Sequence, residues 1–183
     1  MSRAEDGPER RLRLHCHKVP PAPVRAVSCG GLQVRSGFAR VADMNPTDDT
    51  IRAVLIQTKV IALVGWSAKP ARPSHGVAAC LVRRGYRVIP VNPAHAGLVT
   101  AWGETVQASL TDITGAVDMV DIFRNPDAVG PVVDEALTAL PGLRTIWMQL
   151  GVVNEAAAAK ARTAGLQVVM DRCPAIEIPR LIG

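Results

Sequence analysis

The stretch Gly65-Trp66-Ser67-Ala68-Lys69-Pro70-Ala71-Arg72 joins a short apolar run to Pro73-Ser74-His75-Gly76. Its residue types suit anion binding. Gly65 permits a tight backbone turn. Ser67 and Ser74 carry hydroxyl donors, and Lys69 and Arg72 carry fixed positive charge. If Pro73 opens a helix, the unpaired N–H groups of its first turn and the positive end of its dipole serve the same purpose. Arg124, placed after a later apolar run, adds another cation. The set fits a phosphorylated ligand. Taken alone, the same residues also fit a solvated loop with ordinary surface charges.

Other chemistries find less support. The dinucleotide fingerprint G-x-G-x-x-G is absent, because Gly65 is followed by Trp66, Ser67 and Ala68. An NAD site also needs an acid after the second strand for the ribose hydroxyls; Asn92-Pro93 stand there. No G-x-x-x-x-G-K-[ST] occurs, so ATP hydrolysis is not indicated. The cysteines Cys16, Cys29, Cys80 and Cys173 show no C-x-x-C spacing, which argues against a zinc knuckle or thioredoxin-like motif. His15, Cys16 and His17 are read as an incidental cluster, so no metal site is assigned. His75 and His95 read as helix-start and loop residues. Asp118 and Asp121 fall on opposite faces of a strand with a two-residue period. They do not form an acid/base pair, and Asp121 needs a buried partner. Gln149 interrupts an apolar strand end, either facing a ligand with its amide or satisfied by neighbouring backbone. No catalytic residue is assigned.

These positions depend on an alternation of strands and helices. Asn45-Pro46-Thr47-Asp48-Asp49 is a helix start, with side-chain caps, an early proline and first-turn acids. Val60 to Val64 reads as a strand buried on both faces of a parallel sheet. A helix is expected from Pro73 to Arg84, closed by Gly85. Tyr86 to Val91 follows as a strand, then a short hairpin around Trp102-Gly103. Strands at 117–123, 144–150 and 166–170 alternate with helices at 126–140 and 155–164. The order predicts an α/β, doubly wound, mostly parallel five-stranded sheet with helices on both faces. Ligands of such sheets sit beyond the carboxyl ends of the strands, at the switch in strand order.

The chain has 183 residues, 48% hydrophobic and 20% charged, with a net charge of +5. Residues 1–43 hold eight basic and four acidic side chains, and residues 44–183 hold 13 and 12. The basic excess therefore belongs to an N-terminal extension, expected to be disordered, ahead of a nearly neutral domain at 44–183. Such an arm suits an anionic partner, a targeting peptide or an extension from an upstream start codon. Its early acids Glu5, Asp6 and Glu9 weigh against targeting, and the last reading is preferred. Aromatics are 3% of the chain, too few for a base-stacking nucleic-acid protein. No apolar run approaches the ~18 residues that span a bilayer. Without a signal peptide, reduced thiols in the cytoplasm are expected. A homo-oligomer stays open.

Several of these segments together resemble the CoA-binding domain family, small Rossmann-like proteins related to the N-terminal domain of the succinyl-CoA synthetase α subunit. They are Ala62 to Pro70 with Arg72-Pro73-Ser74, Val88 to Pro93, Val117 to Arg124, Trp147 to Val152, and Met170 to Pro174 with Glu177 to Arg180. The resemblance covers about residues 45–183. It implies a protein that binds coenzyme A or an acyl-CoA at the carboxyl edge of the sheet. By resemblance, Gly65, Trp66 and Ser67 would hold phosphates or pantetheine. Lys69, Arg72 and Ser74 would lie near the phosphorylated adenosine, and Asn92 and Pro93 near the adenine or ribose. Phe123 and Arg124 would close the pocket, with Gln149 and Gly151 at its edge. His95 stands near the place of a lysine in the synthetases. Trp66 is bulkier than the small residue expected after Gly65 and would narrow the pocket. The synthetases' phosphorylated histidine comes from a second domain that this sequence lacks. Cys173, beside Arg172, is a possible stabilised thiolate able to form a mixed disulfide with coenzyme A, though a buried packing residue is the preferred reading. An NAD(P)-dependent reductase and a ligand-free interaction domain are the alternatives.

Overall fold

Thr47 ends the extended entry segment and accepts a hydrogen bond from the Thr50 N–H at 3.4 Å, starting α1 (Asp48–Gln57). The computed structural model describes residues 45–183. The expectations for residues 1–43, including the His15-Cys16-His17 cluster, lie outside the described residues. Beyond α1 the order is β1 (Val60–Val64), α2 (Pro73–Arg83), β2 (Arg87–Val91), β3 (Met119–Ile122), α3 (Val129–Ala139), β4 (Thr145–Met148), α4 (Glu155–Thr163), β5 (Gln167–Val169) and α5 (Pro174–Leu181).

The five strands form one sheet in the order β2-β1-β3-β4-β5. Every pairing is parallel, as the continuous apolar runs require. Alternate strand residues feed two separate cores. Ala62, Val120, Ile122, Ile146 and Met148 pack with α3 and α4 on one face. Ile61, Leu63, Met119, Trp147 and Val169 pack with α1, α2 and α5 on the other.

The sheet therefore has helices on both faces, as the sequence predicts. β1 has the expected bounds, and the other four strands are shorter than expected at their ends. Asp118 stops short of β3 because its carboxylate accepts the Lys59 and Val60 N–H groups at 2.8 and 2.9 Å. Its other oxygen accepts from Arg144 at 2.6 Å. The predicted hairpin exists as a single antiparallel bridge, Val99 to Thr105, held down by the Trp102 indole N–H on the Val88 carbonyl at 2.9 Å.

The sequence reading does not include α5, which has Pro174 at its start and Pro179 inside it. Pro174 occupies the first helical position, where no N–H is needed. The helix is fixed electrostatically: buried Glu177 accepts from Arg172 at 3.1 Å and from Arg180 at 2.7 Å. Arg180 also donates to Asp48 of α1 at 2.5 and 2.7 Å.

Strand order reverses at β1, which has β2 on one side and β3 on the other. At its carboxyl end the Gly65 N–H donates to the Val91 carbonyl at 2.9 Å, and the Phe123 N–H to the Val64 carbonyl at 2.8 Å. Gly65 has φ +89°, and a Cβ there would sit 2.4 Å from the Phe123 carbonyl oxygen. Only glycine meets both conditions. Gly65→Ala is therefore expected to cost at least about 2 kcal/mol in urea unfolding. Gly130→Ala, in α3 with open space around its Cβ, should cost nothing. Equal effects at the two positions would contradict this reading of Gly65.

Candidate functional site

Two cavities open at the carboxyl ends of β1, β3 and β4, sharing Pro73 and Phe123 as their common wall. The first, about 390 Å³, is built by the β1–α2 loop and the start of α2. Gly65, Ser67, Lys69, Arg72 and Ser74 line it, with Asn92 and His95 from the end of β2. The second, about 440 Å³, lies beyond Phe123. It is lined by Val77 of α2, Arg124, Gln149, Leu150, Gly151, Val152 and Cys173, among others.

The first cavity has the character of an anion site. The inner side of α2's first turn faces it, and Ser74, 4% exposed, has no hydrogen-bond partner for its hydroxyl among the described residues. The hydroxyl of Ser67 accepts the Lys69 N–H at 3.2 Å, which tightens the loop. Lys69 and Arg72 here, and Arg124 in the wall of the second cavity, form no ion pair among the described residues, whereas Arg87, Arg144, Lys160, Arg172 and Arg180 all do, away from the first cavity. An exposed cation contributes little to folding. Beside a phosphate it supplies a charge-assisted hydrogen bond.

One residue assigned by the sequence is placed elsewhere. Trp66 does not line or narrow either cavity. The left-handed turn at Gly65 sends its ring into the α2-side core, where it is 4% exposed. It stacks on His75 at 6.0 Å and meets His95 and Trp102 edge-on at 6.0 and 6.1 Å. Its role is to support the loop: its carbonyl accepts the Asn92 amide N–H at 2.6 Å. Pro93 starts a short 3-10 turn, Pro93–His95, and lines an adjoining hollow of about 170 Å³ together with Gly65 and Arg124. Asn92 lines the first cavity, yet both ends of its carboxamide are used. Its oxygen accepts the Ala94 N–H at 3.0 Å.

Cys173 borders the second cavity, but its chemistry differs from the thiolate considered above. Burial, with the Asp121 carboxyl nearby, pushes the thiol's pKa up. Arg172 is already held by Glu177. The thiol is therefore a neutral wall group. Sequence reasoning gave no role to Asp171, which adopts φ 53° and accepts the Gly151 N–H at 2.7 Å. It joins the β4–α4 and β5–α5 loops at the cavity rim. The tolerance of Asp for left-handed backbone was the available signal. Val77 was missed because the loops were read and the inner face of the helix was not; it lies four residues after Pro73.

Asp121 has its partner, and it is Gln149. Register places Asp121 between Leu63 and Trp147, fully buried. The Gln149 Nε2 donates to both its oxygens, at 2.9 and 3.0 Å. Burial pushes the carboxyl up to about 7, against the lowering effect of the Gln149 amide. Between the ordinary carboxyl range and about pH 7 the folded protein holds this proton more tightly than the unfolded chain. The group's contribution to stability thus falls as pH rises through that window and is constant above it. Asp121→Asn lacks this component. Its Tm relative to the wild type should increase between pH 5 and pH 8; a difference unchanged by pH would contradict the assignment.

Among the described residues no three His, Cys, Asp or Glu side chains gather as a metal ion requires, and no helix is long and apolar enough to cross a membrane. The sequence profile of the family described as CoA binding domain matches residues 59–179. The chain is similar to the uncharacterized protein YneT of Bacillus subtilis (strain 168), at 38% identity over 130 residues, which is 70% of this chain and 92% of that one. A solved structure from Thermus thermophilus is 38% identical, with a TM-score of 0.70 over 75% of this chain and 100% of that one. A hypothetical protein from Pyrococcus horikoshii OT3 is 34% identical, with a TM-score of 0.69 over 85% of this chain and 100% of that one.

Proposed function

The chain belongs to the CoA binding domain family, and from that premise we propose that it binds coenzyme A or an acyl-CoA across the two cavities. The observation that carries the proposal is their adjacency. A polar cavity with unpaired cations and a helix N-terminus adjoins, across Phe123, a second cavity walled by Val77, Leu150 and Val152. Coenzyme A has the same polarity profile, with a phosphorylated adenosine at one end and a pantetheine arm at the other. Lys69, Arg72 and the hydroxyls of Ser67 and Ser74 would hold phosphate. The pantetheine would pass Phe123 toward Gln149 and Gly151.

Binding without turnover fits the side chains at hand. His75 and His95 are braced against Trp66, and Cys173 is a neutral thiol. The proposal includes cytoplasmic residence, where the free thiols Cys80 and Cys173 persist. The reductase alternative lacks an acid at the end of β2, where the Asn92 carboxamide is committed to the loop.

Thermal shift with coenzyme A, NAD, NADP and ATP tests the proposal. Coenzyme A alone should raise Tm, by an amount corresponding to about 2.7 kcal/mol at a hundredfold excess over Kd. A rise with NADP alone would favour a reductase, and no rise with any ligand would leave an interaction domain. Arg72→Glu should weaken coenzyme A binding about tenfold or more, since charge-assisted bonds contribute ~1.5–3 kcal/mol. Arg83→Glu, on the exposed far end of α2, should have little effect. Equal loss in both variants would sink the site assignment.

A further inference from the structure

Gln149 is 4% exposed, and its amide is asymmetrically used. The nitrogen donates to both oxygens of Asp121. Among the described residues no donor reaches the Gln149 Oε1. Among the described residues the sealed, unpartnered side-chain atoms are Trp66 Nε1 and Glu155 Oε1, so the Gln149 oxygen is accessible, and the space beside it is the second cavity. An ionised carboxylate can only accept hydrogen bonds. It therefore decides which end of the amide faces away.

We propose that Asp121 is a positioning residue that turns the Gln149 carbonyl oxygen into the second cavity, making that cavity selective for an apolar group carrying one hydrogen-bond donor. This rests on the coenzyme A reading and deepens it. The pantetheine arm is such a group, since its amide N–H groups lie on an otherwise aliphatic chain. The inverse state is defined as well. A protonated Asp121 has an O–H to donate, the amide can rotate to accept it, and the cavity then meets a donor in place of an acceptor. The carboxyl, pushed up to about 7, passes between these states near neutral pH.

The groups around Asp121 leave its proton as the variable. Leu63 and Trp147 flank it in the sheet. From α5 the titratable neighbour is Cys173, held protonated by burial, with Cys80 of α2 beyond it. No Lys, Arg or His side chain among the described residues bonds it. His95 lines the polar cavity and His75 stacks on Trp66; neither bonds Asp121.

The test compares coenzyme A with 3′-phospho-ADP, which lacks the pantetheine arm, by calorimetric titration at pH 8 and pH 5.8. In the wild type the preference for coenzyme A should drop about three- to tenfold at the lower pH, the range for one net hydrogen bond. In Asp121→Asn the preference should be reduced at pH 8 and no longer change with pH. Gln149→Met, which removes the acceptor, should lower the preference at pH 8 and leave 3′-phospho-ADP binding unchanged. If Gln149→Met does not fold, the wild-type pH profile and Asp121→Asn still decide. A preference unchanged by pH and by Asp121→Asn, with both ligands bound, overturns the positioning role. Binding of neither ligand overturns the coenzyme A reading, and this inference with it.

Discussion

The carbonyl oxygen of Phe123 occupies the space where residue 65 would carry a Cβ. That contact sets how closely the ends of β1 and β3 approach at the one place where strand order reverses. With Gly65 in a left-handed conformation, the chain leaves β1 at an angle that aims Lys69, Arg72 and the first turn of α2 across the sheet edge. The same approach holds Phe123 as the wall between the two cavities. The polar loop, the second cavity and their shared boundary all meet at this one contact.

Charge is divided between structure and site. Arg172, Arg180, Glu177 and Asp48 fix α5 to α1, and Asp118 ties the start of β1 to Arg144. Those cations are neutralised. Lys69, Arg72 and Arg124 are not, and they gather at the carboxyl edge of the sheet. A nearly neutral domain can therefore present a local positive field. What matters for ligand binding is where the unpaired cations stand. Asp121 is the opposite case, a carboxyl buried in the sheet whose partner is an amide.

Most of the architecture was legible because its signals are local. A continuous apolar run, β-branched at its start and end, marked β1, and Pro73, Asn154 and the terminating glycines marked the helices. The loop after β1 was legible as an anion site from Gly65, Ser67, Lys69 and Arg72 alone. The fate of Trp66 was not, because a large residue after a glycine turn can face the ligand or the core. Its direction is decided by His75, His95 and Trp102, which come from three separate segments. Pro93 and Asn92, adjacent in sequence, line neighbouring hollows that meet at Gly65. The Asp121–Gln149 pair spans two strands and depends on register, which the sequence of one strand cannot supply. Helix α5, with Pro174 at its start and Pro179 inside it, was not read from the sequence.

The central claim is that one ligand runs from the start of α2, past Phe123, to Gln149. A crystal structure with coenzyme A tests it most directly. Phosphate density is expected between Lys69, Arg72 and the Ser74 hydroxyl, with the pantetheine arm continuous past Phe123 and its amide N–H on the Gln149 oxygen. Coenzyme A bound elsewhere, or with its pantetheine in solvent and the second cavity empty, would contradict it.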